Sequence, residues 1–152
     1  MPETTRRLYV AYGSNLNLSQ MARRCPTAEV IGTTVMRNWQ LFFCGVATIR
    51  RCKGEIVPVL VWSITPDDEV ALDAYEGWPR LYRKESVRVT LNGKQVRAMV
   101  YVMNDERSSP PNAYYFDVIR EGYESAGFDL STLYEAKQVS QRKGKKHDEP
   151  NY

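Results

Sequence analysis

The sequence predicts an α+β fold, with a small mixed, mostly antiparallel, β-barrel-like sheet flanked by a few helices. Residues 28–102 are rich in Val, Ile, Phe and Thr, which favour strands, and turn residues separate the apolar runs. Within this region Asn92-Gly93 is a strong signal for a two-residue hairpin. Five or six strands joined mostly by short turns predict a sheet that curls toward a barrel.

The first strand is expected at Arg6–Tyr12, where the near-continuous apolar character is typical of a central strand. A short helix should follow over Asn15–Arg24, with Asn17 or Ser19 as its N-cap. Further strands are predicted at Glu29–Met36, Gln40–Ile49, Ile56–Ile64, Val87–Leu91 and Gln95–Met103.

One helix interrupts the β-rich region. Thr65 is a good N-cap, Pro66 suits the first helical position, and Gly77 is placed to terminate the helix. Its apolar face is expected from Val70, Ala71 and Ala74, with Leu72 or Tyr75 at the margin.

Two more helices are predicted near the end of the chain. Ala113–Ala126 has apolar residues at helical spacing, and Gly127 would stop it. A last short helix is expected at Ser131–Val139, and the Lys-rich chain from Ser140 should fray.

Length and charge exclude several classes of function. The 152 residues predict one domain, with the fold over about 7–139 and a polar tail over 140–152. A net charge of +3 is too small to indicate a polyanionic partner, so we expect no nucleic acid, and the basic tail is read as solubilising. No apolar run approaches the ~20 residues that span a membrane, and no signal peptide is evident. We therefore expect a cytoplasmic protein without a membrane partner.

The cysteines and the single histidine indicate no metal or redox chemistry. Three cysteines lie at no metal-ligand spacing, and an odd number makes a poor disulfide framework. His147, the only histidine, is in the tail, so neither a zinc site nor a histidine-dependent triad is expected. No phosphate-binding or dinucleotide motif is present, and we expect no cofactor.

The end of the first strand is a candidate binding site. The apolar run Leu8–Tyr12 meets Gly13-Ser14-Asn15 without a polar spacer. Gly13 can take backbone angles that other residues resist, and such a turn directs several N–H groups at one spot. That arrangement can hold a carboxylate or a developing oxyanion. The alternative is an ordinary strand followed by a turn.

Glu76 is the candidate for proton transfer. It falls in the last turn of the predicted helix, where the dipole disfavours an anion, and Asp73 adds like-charge repulsion. Tyr75, Trp78 and Tyr82 offer an apolar surround, and all three effects raise a carboxyl pKa. A carboxyl group that titrates nearer neutral pH can accept and return a proton. The alternative is a solvated glutamate at a helix end.

These two stretches together carry a resemblance. The Tyr12-Gly13-Ser14-Asn15 turn after the first strand and the Leu72–Pro79 segment, with Tyr82 shortly after it, occur about sixty residues apart in this order. In this the chain resembles the γ-glutamylcyclotransferase family, also called AIG2-like, from about Arg7 to about Val139.

The resemblance implies an enzyme that cyclises a γ-glutamyl amide to 5-oxoproline and releases an amine or amino acid. This acyltransferase or lyase-type reaction needs no cofactor, and Glu76 would be its general acid/base. The substrate-binding residues implied are Tyr12, Gly13, Ser14, Asn15, Leu16, Tyr82 and Tyr115. For Tyr82 and Tyr115 the alternative is a core aromatic residue, and strand alternation favours the core for Tyr9 as well.

Three questions stay open at this point. A non-catalytic protein that binds a γ-glutamyl-like ligand would show the same motifs. Trp78–Arg83 and Arg107–Asn112 are expected to line the leaving-group side, where Arg80 and Arg83 could favour an acidic leaving group. A homodimer could form through an exposed strand such as Leu41–Ala47.

Overall fold

The structure, a computed structural model, describes residues 5–148 and the side chains of residues 5–142. It confirms the α+β fold class. Five strands form one mixed sheet: β1 Arg7–Ala11, β2 Glu29–Cys44, β3 Val46–Ile64, β4 Tyr82–Leu91 and β5 Lys94–Met103. A 3-10 turn at Ser14–Leu16 and four helices flank the sheet: α1 Leu18–Arg24, α2 Pro66–Glu76, α3 Ala113–Ala126 and α4 Ser131–Asp148.

The first strand lies at the centre of the sheet, as its apolar sequence predicts. The strand order is β2-β3-β1-β5-β4, in which β1 runs antiparallel to β3 and parallel to β5. Tyr9 pairs with Trp62 on one side and with Met99 on the other. The turn that follows β1 therefore emerges from the middle of the molecule.

The sheet curls but does not close into a barrel. No backbone ladder joins β2 to β4 in the part of the chain that the structure describes. The two edges nevertheless meet, since the Thr34 hydroxyl donates to the Thr90 carbonyl over 2.5 Å. The predicted curl is therefore present. A side-chain hydrogen bond joins β2 to β4, where a closed barrel would have a ladder of backbone hydrogen bonds.

The region from Glu29 to Ile64 is one long hairpin instead of the three strands predicted. Gln40–Ile49 is wrong as a single strand, because Gly45 at φ 73° turns the chain between β2 and β3. The predicted break before Gln40 is a bulge, where Asn38 at φ 69° lies at a shift of register.

Both ends of α2 are as predicted. Thr65 and Asp68 form a reciprocal capping box, and Gly77 ends the helix in the left-handed conformation at φ 69°. The predicted apolar face is wrong in detail. Leu72 is its fully buried residue, whereas Val70 is 67% exposed.

The last helix is longer than predicted. α4 continues to Asp148, because the Lys, Arg and Gln residues after Val139 are good helix formers and no proline stops the helix. The predicted end of this helix at Val139 is therefore wrong. The side chains from Lys143 onward, His147 among them, lie outside the described residues, as do residues 149–152.

The strand proposed for a dimer contact is not exposed. Leu41, Phe42 and Phe43 are buried within the chain, and α4 packs against β2. This removes the basis for that contact. Among residues 5–148, none of the helices combines the length and apolar character that crossing a membrane requires.

A close approach of α3 to the 3-10 turn sets the position of that turn. A Cβ atom on Gly122 would lie 2.6 Å from the Leu16 Cβ and 2.8 Å from the Leu16 carbonyl carbon. Only glycine lets α3 come this near. The helix therefore supports the turn from behind.

Candidate active site

A cavity of about 310 Å³ opens where β1 ends. Side chains from the turn, from α2 and α3, and from the strands around them line it. The structure brings seven of the predicted site residues to this cavity: Tyr12, Gly13, Ser14, Asn15, Glu76, Tyr82 and Tyr115. A volume near 300 Å³ suits a small molecule.

Leu16 is the predicted site residue that does not line the cavity. Its side chain is fully buried, and its backbone N–H donates to the Gly13 carbonyl over 3.0 Å. Leu16 thus packs behind the turn against Gly122, where its side chain supports the turn.

Gly13 leaves space at the cavity wall. Its φ of −123° lies outside the left-handed region that favours glycine. A Cβ atom here would lie 3.2 Å from the Ala47 Cβ and 3.8 Å from the Tyr115 hydroxyl oxygen. Since all three residues line the cavity, a side chain at position 13 would occupy part of it.

Asn15 is held by protein groups on every side. Its amide nitrogen donates to the Tyr9 hydroxyl over 2.8 Å, and its side-chain oxygen accepts from Arg24. The indole N–H of Trp62 donates to its carbonyl oxygen over 3.2 Å. The buried Asn15 side chain therefore fixes the turn, and both polar atoms of that side chain are already hydrogen-bonded to protein groups.

Ser14 connects the turn to α2. Its hydroxyl lies 2.8 Å from the hydroxyl of Tyr75, the residue directly before Glu76. This hydrogen bond joins the two sequence motifs that lie sixty residues apart.

Three tyrosine hydroxyls around the cavity are anchored to the backbone. Tyr12 donates to the Tyr101 carbonyl over 2.7 Å, and Tyr82 donates to the Ala47 carbonyl over 2.8 Å. Tyr115 instead accepts from the Ala47 N–H over 2.9 Å, so its own proton stays available. Burial raises the pKa of all three phenols, which are therefore neutral near pH 7.

Glu76 is the acid of the cavity. Burial raises the pKa of its carboxyl to about 7, and the Arg24 guanidinium opposes that rise. The like-charge repulsion expected from Asp73 does not contribute to the raised pKa of Glu76. Asp73 instead pairs with Lys84 over 3.0 Å and accepts from the Tyr101 hydroxyl over 2.5 Å.

Several residues near the site were missed or misplaced by sequence reasoning. Tyr9 is buried as predicted, yet it also lines the cavity. Tyr75 lines the cavity too, whereas Trp78 does not and lies against Lys84 at 4.1 Å. Nothing in the sequence indicated that Arg24 lies near the site, because its contacts depend on how α1 and α2 pack.

Three of the partly exposed lining residues, Val46, Leu81 and Met103, form an apolar rim. The other lining residues that are partly exposed are Tyr75, Glu76 and Tyr115. No Lys or Arg of the described chain lines the cavity. Arg80, Arg83 and the loop 107–112 stay outside it, and Arg83 pairs with Glu85 over 2.9 Å. Nor do the described residues bring three His, Cys, Asp or Glu side chains together in a way that could hold a metal ion.

Comparison with known proteins finds similar sequences and a similar fold. The sequence model of a family described as "Gamma-glutamyl cyclotransferase, AIG2-like" matches residues 9–120. The chain is 29% identical to a Homo sapiens protein named "Gamma-glutamylcyclotransferase", over 85% of this chain and 76% of that protein. A protein of the same name from Bos taurus is 31% identical over 81% of this chain and 73% of its own length. A solved structure named "Gamma-glutamyl cyclotransferase" superimposes with a TM-score of 0.76 at 26% identity, covering 97% of this chain and 90% of that one.

Proposed function

The chain belongs to the gamma-glutamyl cyclotransferase, AIG2-like family, and on that premise we propose that it cyclises a γ-glutamyl amide to 5-oxoproline with Glu76 as general acid/base. The observation that carries the proposal is the position of Glu76. A carboxyl group with a pKa of about 7 shares one small cavity with the Gly13-Ser14-Asn15 turn.

The proposed reaction is an intramolecular aminolysis. The α-amino nitrogen of the substrate forms a bond to its own γ-carbonyl carbon, and the bond from that carbon to the amide nitrogen breaks. The products are the five-membered lactam 5-oxoproline and a free amine. Since nucleophile and electrophile belong to one molecule, the protein mainly holds the folded conformer, an effect worth several kcal/mol.

Glu76 moves the proton in this scheme. At neutral pH a carboxyl group with a pKa of about 7 is about half ionised. The ionised form takes a proton from the substrate ammonium and thereby frees the nucleophile. The protonated form then gives that proton to the departing nitrogen. The ring nitrogen loses its second proton through the ionised Glu76 to the freed amine, which leaves as an ammonium ion. Such general acid–base assistance contributes about 10²- to 10⁴-fold in rate.

The turn after β1 is proposed to hold the negative charge of the substrate. The first N–H groups of a 3-10 turn have no acceptor inside it, and here they belong to Ser14 and Asn15. They suit the α-carboxylate or the oxyanion of the tetrahedral intermediate. The free proton of Tyr115 provides a further donor at the cavity wall.

The apolar rim is proposed to face the leaving amine. Val46, Leu81 and Met103 offer no charge to pair with a carboxylate. We therefore expect apolar γ-glutamyl amides to be turned over with a higher kcat/KM than γ-glutamyl dipeptides of similar size.

The test is release of 5-oxoproline by the wild-type protein from γ-glutamyl dipeptides, glutathione and γ-glutamyl amines, including a γ-glutamyl-lysine amine. Binding of 5-oxoproline is measured in parallel by calorimetry. Turnover of any of these compounds supports the proposal, and the relative kcat/KM values identify the leaving group.

Two outcomes would contradict the proposal. Binding of 5-oxoproline without turnover of any γ-glutamyl compound would favour a ligand-binding protein of the same fold. Absence of both binding and turnover would show that the cavity does not recognise a γ-glutamyl group.

A further inference from the structure

Arg24 is a charged residue beside the cavity that the proposed reaction does not use. It ends α1, the helix that follows the 3-10 turn, and it is partly buried. Its neighbour Arg23 is exposed. The two residues therefore differ in surroundings although they share a helix turn and a charge.

The Arg24 guanidinium connects three parts of the structure. Its central carbon lies over the Tyr75 ring, 3.5 Å from the ring centre, and the guanidinium donates to the Asn15 side-chain oxygen. A third contact, to Gln20 over 2.9 Å, orients the side chain from its own helix. An arginine held in this way has little freedom, because its planar group stacks and donates at the same time.

We propose that Arg24 is a positioning residue for Glu76, which holds the end of α2 against the Gly13-Ser14-Asn15 turn and brings a positive charge next to that end of the helix. Tyr75 is 44% exposed, so burial alone does not fix its ring. The contact with Arg24 and the hydrogen bond to Ser14 fix it from two sides. Since Glu76 is the next residue on α2, holding Tyr75 also holds Glu76.

The charge of Arg24 has no substitute near Glu76. The other titratable groups that interact electrostatically with this carboxyl are phenols, which are neutral near pH 7. They are Tyr9, Tyr12, Tyr82 and Tyr115. Lys84, the nearby lysine of β4, is engaged with Glu69 over 2.6 Å and with Asp73 over 3.0 Å. Without Arg24, burial would act on the Glu76 carboxyl unopposed.

The inference rests on the proposed function but can be tested without turnover. The carboxyl carbon of Glu76 is followed by NMR during a pH titration of the full chain labelled with ¹³C-glutamate, and Glu76→Gln identifies the signal. Arg24→Gln should move the titration midpoint to higher pH. Arg24→Lys should keep the midpoint near that of the wild type, because the charge remains. Arg23→Gln is the matched control and should leave it unchanged.

Kinetics then separate the charge from the contact. At pH 7 we expect kcat to fall about tenfold or more in Arg24→Gln, and to recover only in part in Arg24→Lys, since lysine cannot stack as a plane. Tyr75→Leu keeps the charge and removes the ring. It should lower kcat without moving the titration midpoint. If Arg24→Gln does not fold, Tyr75→Leu still tests whether the contact between Arg24 and Tyr75 positions Glu76.

The proposal is overturned by an unchanged midpoint in Arg24→Gln, or by an equal shift in Arg23→Gln. Full kcat in Tyr75→Leu would overturn the positioning role. Failure of every γ-glutamyl compound to react would instead count against the proposed function, and the NMR titration would still test the role of Arg24.

Discussion

The burial of Glu76 that suits it for proton transfer also destabilises the folded protein when its carboxyl is ionised. The pKa is about 7 in the fold against 4.5 for an ordinary glutamate, so the folded state binds more protons than the unfolded state between these values. Stability should therefore fall as the pH rises from about 4.5 to about 7. The loss attributable to this group is on the order of 3 kcal/mol.

Urea unfolding of the wild type and of Glu76→Gln across this pH range tests that expectation. The glutamine cannot ionise, so the difference in unfolding free energy between the two proteins should grow in favour of the variant as the pH rises. A difference that stays constant with pH would show that the Glu76 carboxyl is solvated and titrates normally.

Ser14 is expected to act in binding more than in folding. Ser14→Ala removes the hydrogen bond to Tyr75, a residue that is 44% exposed, so water can replace the lost partner. The Ser14 hydroxyl is proposed to bond the substrate, and loss of that hydrogen bond weakens binding by about 0.5–1.5 kcal/mol, which is roughly a 2- to 10-fold rise in KM. Steady-state kinetics and thermal unfolding measure both effects, with the exposed Ser19→Ala as control. A large drop in Tm with an unchanged KM would assign Ser14 a purely structural role.

At the scale of elements, the fit of α3 against the 3-10 turn is the contact on which the binding turn depends. Gly122→Ala would place a methyl group 2.8 Å from the Leu16 carbonyl carbon, and a backbone atom cannot rotate away. We expect a loss of about 1–3 kcal/mol in unfolding free energy, together with a higher KM because the turn must shift.

The exposed Ser125→Ala on the same helix is the control for Gly122→Ala, and chemical unfolding measures both. An alanine variant at 122 that is as stable and as active as the wild type would show that the helix and the turn can separate without consequence.

Element ends were predictable where local chemistry decides them. Thr65 with Pro66 and the glycines at 77 and 127 define helix ends through contacts within a few residues. The long β2–β3 hairpin was not predictable in the same way. Its turn is made by the single residue Gly45, which is a weak turn signal in the sequence. A bulge at Asn38 resembles the end of a strand when the strand pairing is unknown.

At the scale of the molecule, the sequence indicated which two motifs form the site but not what joins them. Glu76 and the Gly13-Ser14-Asn15 turn each have an ordinary structural alternative when taken alone, and it is their order and spacing, through the resemblance to a known family, that indicated the candidate site. The contacts of Arg24 with Tyr75 and Asn15 arise from the packing of α1 and α2, which no local pattern encodes. The packing of Leu16 behind the turn was not predictable for the same reason, since the approach of Gly122 cannot be read from either segment alone.

The curled sheet explains how a single cavity can collect these groups. With β1 at its centre, the turn, the end of α2 and the start of α3 converge at one end of the sheet. Phenols from β1, β4, β5 and α3 complete the lining, and the backbone of Ala47 anchors two of the hydroxyl groups.

The most direct test of the proposed chemistry is release of 5-oxoproline by wild type and Glu76→Gln from the best γ-glutamyl substrate, with the Tm and 5-oxoproline binding of both recorded. We expect the variant to keep its fold and its binding while kcat falls about 10²- to 10⁴-fold. A folded variant that retains most of the wild-type rate would contradict the central claim, because the proton would then be moved by another group.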